Sequence, residues 1–318
     1  MSPFTANPTR SVAHLGEREL IRQIRGWLGD VCPASPFGIG DDCAVIPPTR
    51  HHQLVTTDPV IHGRHFDATA TPRAVGAKLL KRNLSDIAAM GGRPIAAVVS
   101  LALAPETSIA WLRGFHLGLA AVAQEFQVRI VGGDVTQAPA GFFGAFLTLH
   151  GESRGRVVTR RGARAGDWLY VTGRLGGSLL GHHFNFTPRL IEGAWLARRS
   201  EVIAMMDVSD GIANDIDSLT SEGLAACLDQ NAIPIGPAAR RMARRSGHPA
   251  LDHALGDGED YELLVVVRPG PRAAQLERAW RARFPALPLS RIGLFTPATR
   301  PTAGSIDLAR HRGYEHLR

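Results

Sequence analysis

The sequence predicts a two-domain α/β protein, and three observations carry that prediction. Apolar runs of strand length alternate with segments of helical period along the whole chain. The length, 318 residues of which 44% are hydrophobic, is about twice that of an ordinary domain. An arginine-rich stretch, "SRGRVVTRRGARAG" at 153–166 with five arginines, interrupts the pattern near the middle. We therefore expect a loose tail over 1–14, a first domain over 15–152 and a second over 153–318.

The elements follow in order. Residues 18–28 have the composition of a short helix. "HQLVTTD" alternates as a strand that ends at Asp58, after which Pro59 would tighten a turn. Thr71-Pro72 is a helix start, with the hydroxyl as cap and proline in the first turn. That helix runs through "RAVGAKLLKRNLSDIAAM", with Val75, Leu79 and Ile87 on its apolar side, and stops at Gly91-Gly92. "IAAVVSLAL" is a strand and "TSIAWLRGFHLGLAAVAQEF" a helix from Thr107. "VRIVGGD" is a strand ending at Asp134, and "FFGAFLTLHGE" is another. After the arginine-rich stretch, "DWLYVTG" opens the second domain. "AMMDVSDGIANDIDSL" is strand, tight turn and helix. "GLAACLD" and "YELLVVV" are strands, with helices over 237–245 and 271–283. The glycine-rich "TGRLGGSLLG" after a strand has the look of a packing turn.

Composition removes several function classes. No apolar run approaches the roughly 20 residues that cross a bilayer. The opening "MSPFTANPTR" lacks the apolar centre of a secretory signal. Cys32, Cys43 and Cys227 form no Cys-x-x-Cys, so neither a zinc knuckle nor a disulfide framework is indicated, and free thiols in a reducing cytoplasm are expected. Net charge is +7, nearly all of it arginine, since Lys78 and Lys81 are the two lysines. The arginine stretch has no interleaved aromatics, which argues against a single-strand groove. A solvated loop and a phosphate clamp both remain open for it.

The carboxylates carry the functional signal. Asp41-Asp42 in "GIGDDCAV", Asp58 in "TTD", Asp86 in "NLSD", Asp134 in "GGD", and Asp207 with Asp210 in "DVSDG" each sit beside small or hydroxyl residues at the end of an apolar segment. Singly, each is explained by a cap or a turn. Together they would repel strongly: two unit charges at 4 Å cost about 4 kcal/mol at an effective dielectric near 20. A converging set therefore needs cations. With no histidine or cysteine at ligand spacing, the donors are all oxygen, which suits Mg²⁺ where phosphates complete the coordination. Thr56 and Thr57 add further oxygens. Neither a P-loop nor a protein-kinase signature is present, so a nucleotide would be held through metals and arginines.

The ordered set "GIGDDCAV", "TTDPVIHGRHF", "VGAKLLKRNLSDIAAMGG", "VGGD", "RRGARAGDWLYVTG", "MDVSDGIANDI", "LGDGEDYELLVVV" and the closing "RGYEH" resembles the thiamine-monophosphate kinase family over about residues 15–317. The resemblance implies an aminoimidazole ribonucleotide synthetase-like fold. Its first domain would contribute strands to a dimer barrel, and its second would be a three-layer sandwich. It implies transfer of a phosphoryl group from ATP to thiamine monophosphate with several Mg²⁺ ions, in a cytoplasmic homodimer that binds neither nucleic acid nor membrane. Carried over by motif position, Asp42, Thr56, Thr57, Asp58, Asp86, Asp134, Asp207 and Asp210 resemble the metal ligands. His116, Gly133, Asp134, Arg160 and Ser209 resemble nucleotide contacts, His116 standing where the family often has tyrosine. His65 and Glu259 resemble substrate contacts, and Tyr314 is the available C-terminal aromatic, Leu317 standing where phenylalanine is usual. Another ATP-dependent synthetase of the same superfamily is the neighbouring expectation. Direct transfer without a phosphoenzyme is expected, because the acceptor is already an anion.

Overall fold

The structure, a computed structural model, describes residues 1–35, 37–40, 43–299 and 305–311. The chain folds as two compact units, Met1–Ile87 with Arg93–Arg154 and Ala88–Gly92 with Gly155–Arg318. Among the described residues no helix is long and apolar enough to cross a membrane.

The first unit runs α1 (Val12–Leu15), α2 (Glu17–Leu28), β1 (His52–Ile61), α3 (Pro72–Ala89), β2 (Arg93–Leu103), α4 (Ile109–Glu125), β3 (Arg129–Gln137) and β4 (Phe143–Ser153). Its strands form one sheet in the order β1-β4-β2-β3. The β2–β3 pair is parallel and the other two are antiparallel, so the sheet is mixed. Helix α2 carries Glu17 and Glu19 in its first turn and Arg25 in its last, each placed favourably along the helix dipole. Its buried stripe is Leu20, Ile24 and Leu28, at the i, i+4, i+8 spacing of one helical face. Helix α4 begins at Ser108, whose hydroxyl accepts the Trp111 N–H. The core between helices and sheet is made by side chains such as Leu79, Leu84, Leu112, Phe115, Leu147 and Leu149, all shut off from water and each contributing roughly 2 kcal/mol by burial.

Two details differ from the sequence reading. Strand β1 does not stop at Asp58. It continues through Pro59, opposite Phe146, to Ile61, and no turn forms there. β1 is an edge strand of its sheet, the one place where a proline's missing N–H costs no ladder bond. β3 likewise passes Asp134 and runs to Gln137. Residues 1–14 carry contacts of their own: Phe4 bridges Thr107, Ser11 bridges Ser108, and the Trp111 indole donates to the Met1 carbonyl.

The second unit runs β5 (Trp168–Thr172), α5 (His182–Asn185), α6 (Leu190–Ala197), β6 (Val202–Asp207), α7 (Ile212–Asp215), β7 (Leu224–Leu228), α8 (Pro237–Ser246), α9 (Ala250–Gly256), β8 (Leu263–Val267), α10 (Pro271–Arg283) and β9 (Leu289–Pro297). Its sheet has the order β6-β8-β5-β9-β7, antiparallel throughout. In β8, Leu264 and Val266 enter one core cluster with Ile212, Ile216 and Leu255. Leu263, Val265 and Val267 enter another, with Leu196, Leu276 and Trp280. Both faces of the sheet are therefore covered by helices, giving three layers. An apolar run with no polar alternation is what such a strand requires.

Candidate active site

In the first unit, alternation along β1 decides which side chains meet. Leu54, Thr56, Asp58 and Val60 are more buried than Val55 and Thr57, so the threonine pair is split between the two faces of the strand. The Thr56 hydroxyl donates to Asp86 Oδ2 on α3. Asp58 Oδ1 accepts from Arg82 Nη2 at 3.1 Å, and the same guanidinium donates to the Pro59 carbonyl at 2.7 Å. Arg82 and Asp86 are one helical turn apart, which is why one face of α3 can serve both. Thr57 gives its hydroxyl to the Leu147 carbonyl at 3.0 Å and stands on the opposite face, beside Thr148.

A pocket of about 560 Å³ lies in the same unit. Ile21, Ile24 and Leu28 of α2 form its apolar side together with Val99, Leu101 and Ile130, and its polar lining includes Glu17, His116, Gly133 and Asp134. A Cβ on Gly133 would come 2.0 Å from the Val99 carbonyl oxygen, so only glycine fits where β3 passes β2 this closely. His116 is buried between Trp27 and Phe115, and burial lowers its pKa to about 4. It is thus neutral at physiological pH. Its Nδ1 lies 2.9 Å from the Leu112 carbonyl. A carbonyl only accepts, so Nδ1 carries the proton and Nε2 is left as an acceptor. His65 has the other tautomer: its Nδ1 accepts the Ile61 N–H at 3.1 Å, which makes Nε2 a donor. The buried Lys78 donates to the His65 carbonyl at 3.0 Å.

In the second unit the acids stand at the ends of adjoining strands. Asp207 closes β6 and pairs with Leu263 of β8. The segment ahead of β8 lies along the segment after β6: Glu259 N–H donates to the Ser209 carbonyl at 2.7 Å and Tyr261 N–H to the Val208 carbonyl at 2.8 Å. Asp207, Ser209, Asp210 and Glu259, far apart in sequence, are therefore neighbours. Asp215 accepts the N–H groups of Ser209 and Asp210 at 2.9 and 3.0 Å. Burial first, then repulsion by Asp207 and Asp210, lifts its pKa to about 8. Asp215 escaped the sequence reading, although "DVSDGIANDID" places it one helical turn into α7, facing back to the turn.

The segment 258–262 is held under strain. Glu259 and Tyr261 both have positive φ, 53° and 52°, at about 1–3 kcal/mol each for non-glycine residues. Tyr261 is kept there by stacking on Phe186, with ring centroids 4.0 Å apart. Glu262 is clamped by both Nε and Nη2 of Arg189 and by the Thr172 hydroxyl. Asp260, buried, accepts the Gly176 N–H at 2.8 Å, and burial pushes its pKa well up. Gly176 and Gly177 have φ of 83° and 74°, and a Cβ on either would strike the backbone of α9 or α8. The glycine-rich turn thus packs tightly and presents its N–H groups to Asp260 and Asp257.

In the arginine stretch, Arg154 bonds Glu152 and Arg156 donates to the Arg199 and Val202 carbonyls. Arg160 is exposed and follows Thr159, whose carbonyl accepts the Met205 N–H of β6 at 3.0 Å. Asp42, Tyr314 and Leu317 lie outside the described residues. Among the described residues no group of three His, Cys, Asp or Glu side chains stands at metal-binding geometry.

A family model for the AIR synthase related protein N-terminal domain matches residues 40–152. The chain is 36% identical over 289 residues to the thiamine-monophosphate kinase of Rhodopirellula baltica, covering 87% of this chain and 88% of that one. It is 35% identical to that of Salmonella typhimurium, covering 72% and 76%. Among solved structures it resembles a thiamine-monophosphate kinase from Stenotrophomonas maltophilia, with a TM-score of 0.71 and 32% identity over 88% of this chain and 93% of that one. It also resembles AaThiL complexed with AMPPCP and TMP, with a TM-score of 0.69 and 26% identity over 92% and 96%. The hydrogenase maturation protein HypE in complex with ATP shares the fold, with a TM-score of 0.72 at 18% identity over 89% of this chain and 88% of that one.

Proposed function

The chain belongs to the thiamine-monophosphate kinase family, and from that premise we propose that it transfers the γ-phosphoryl group of ATP to thiamine monophosphate, giving thiamine diphosphate and ADP. The observation that carries the nucleotide half of this reading is the pocket of the first unit, apolar on one side and ending on His116, Gly133 and Asp134. Its 560 Å³ is within the usual range of small-molecule sites. An apolar slot takes a flat base, and the neutral His116 offers it a hydrogen-bond acceptor. The bare backbone at Gly133 allows close approach of a sugar or phosphate.

The residues present suit magnesium. The donors are oxygen, and the lifted pKa of Asp215 beside Asp207 and Asp210 marks negative charge that a hard cation would relieve. The holding residues would be Thr56, Asp58, Asp86 and Asp134 in the first unit and Asp207 and Asp210 in the second, with Asp42; the Thr57 hydroxyl, on the opposite face of β1, is not among them. Bound there, the ions would neutralise repulsion between two polyanions, the main obstacle to phosphoryl transfer.

The chain's own groups would do the rest. Arg160, with Ser209, would hold the nucleotide's phosphates by its planar fork. His65, a donor at Nε2, would orient the acceptor's phosphate. Glu259, with Tyr314, would face the cationic thiamine ring system, where a fixed carboxylate is favourable. Transfer would be direct and in line, since the acceptor needs no base to activate it. A homodimer would form on the sheet face that exposes Val55, Val98 and Phe146, large apolar side chains 60%, 37% and 39% accessible.

Product chromatography after mixing protein, thiamine monophosphate, ATP and Mg²⁺ tests the reading. Thiamine diphosphate and ADP should appear in equal amounts and vanish on chelation. ATP consumption with another acceptor from a panel, and none with thiamine monophosphate, would reassign the chain to a different reaction.

A further inference from the structure

We propose that Ser246, at the end of α8, is an activated nucleophile that takes an acyl group from small activated esters, through a Ser246–His253–Asp257 relay separate from the phosphoryl-transfer residues.

The hydrogen bonds fix each role. Asp257 Oδ1 lies 2.8 Å from His253 Nδ1. A carboxylate only accepts, so Nδ1 carries the proton and Nε2 is the acceptor of the neutral ring. Ser246 Oγ lies 2.8 Å from that Nε2, so the serine proton already points at a base. Nucleophile, base and orienting acid at hydrogen-bond distance in this order are the arrangement that activates a hydroxyl.

The surroundings support the roles. The side chains of His253 and Asp257 are 11% and 15% accessible, whereas Ser246 is exposed: the base is sheltered and the nucleophile is open. Asp257 is itself held, because its Oδ2 accepts the Gly177 N–H at 2.8 Å. The turn after α8 contributes as well. Gly247 takes a φ of 78°, and His248 then donates its N–H to Ser246 Oγ at 3.1 Å. That bond stabilises charge on the oxygen as its proton leaves.

In the step, Ser246 Oγ forms a bond to the acyl carbon and the bond from that carbon to the leaving alcohol breaks. The proton passes from Oγ to His253 Nε2 and on to the departing oxygen, with Asp257 steadying the imidazolium in between. The product is one O-acyl serine per chain, a covalent modification rather than a turnover.

The full chain treated with p-nitrophenyl acetate, then mapped by peptide mass spectrometry, tests this. Peptide mapping separates acylation of Ser246 from that of the amines, Lys81 and the Met1 α-amino group, Lys78 being buried. Acetyl should accumulate at Ser246 far ahead of the exposed Ser221. His253→Gln, checked by its thermal midpoint, should slow that labelling by about 100-fold, the usual size of a general-base contribution. Ser246 labelled no faster than Ser221 in the wild-type chain overturns the proposal without any variant. Equal labelling in His253→Gln overturns the relay. Ser246→Ala should keep the kinase reaction, which separates this result from any failure of the thiamine reading.

Discussion

The two units treat their acids differently. In the first, Asp58 has the Arg82 guanidinium and Asp86 has the Thr56 hydroxyl: the carboxylates there are drawn into bonds with side chains of the same unit. In the second, Asp207 and Asp210 act on Asp215 as repulsive neighbours, and together with burial they lift it to about 8. Backbone N–H groups from Ser209 and Asp210 pull the other way and do not win. The first unit sets a cation of its own, Arg82, against one of its acids. The second sets acids against one another, a repulsion that an added cation would relieve. The second cluster is therefore where loss of a single carboxylate should be felt most in catalysis and least in folding.

Asp210→Asn tests that claim at its strongest point. Turnover should fall on the order of 1,000-fold, about 4 kcal/mol in the barrier. In Mg²⁺-free buffer the thermal midpoint should hold or rise, because one source of repulsion on Asp215 is gone. Steady-state kinetics and calorimetry on the same preparation decide it. Wild-type turnover would remove Asp210 from the catalytic set, and a lower midpoint would mean that the contacts Asp210 makes outweigh its repulsion of Asp215.

Arg82→Met is the converse experiment in the first unit. It removes a cation whose side chain is 11% accessible from a carboxylate that is 25% accessible. Breaking a fully buried pair costs about 3–5 kcal/mol. With Asp58 partly in water, about 2 kcal/mol is expected, read as a shift in the urea midpoint at unchanged slope. An unchanged midpoint would show that solvent, rather than Arg82, keeps Asp58 ionised, and the contrast between the units would shrink.

The same contrast explains what the sequence could reveal. Elements with strong local signals were legible. Thr71-Pro72 starts α3, residues 18–28 have the composition of the helix they form, and the unbroken apolar run 263–267 in "YELLVVV" is a strand. β9 was missed because Arg291 and Gly293 break its apolar run and a register shift interrupts its pairing with β5. The short α6 and α9 were missed for lack of caps. In the site, the acids were legible because Asp beside Gly, Ser or Thr at the end of an apolar segment is unusual in number. Their partners were not. Nothing local ties Arg82 to Asp58 or Asp215 to Asp207, since those meetings follow from strand alternation and from the packing of α7. Thr57 shows the limit from the other side: adjacent in sequence to Thr56, it turns to the opposite face of β1.

Glu259→Gly asks whether the strain in the second unit serves the acids beside it. Glycine adopts φ near 53° without penalty, so the variant should gain about 1 kcal/mol in stability. If the strained backbone exists to present the carboxylate, the KM for thiamine monophosphate should rise while that for ATP stays put. A stability loss would show that the Glu259 side chain, 3.2 Å from the Tyr261 hydroxyl, outweighs the backbone cost.

Glu152 extends the comparison to an acid that is fully answered. The Arg93 and Arg154 guanidiniums and the Thr49 hydroxyl, in that order among the side-chain partners, hold its pKa down to about 2, at 2.7, 2.9 and 2.8 Å. A carboxylate whose folded pKa lies below its unfolded value contributes stability that is complete above the unfolded value, near 4.5. That contribution is lost as pH falls through the folded value, here about 2. The two arginines are 55% and 63% accessible, so solvent screens them and the contribution is below about 1 kcal/mol. Glu152→Gln should therefore flatten the acid limb of the stability curve over that window and change little at neutral pH. If instead the variant loses several kcal/mol at pH 7, the buried Glu152 carboxylate is structural in its own right, and charge pairing is the lesser part of what it does at the end of β4.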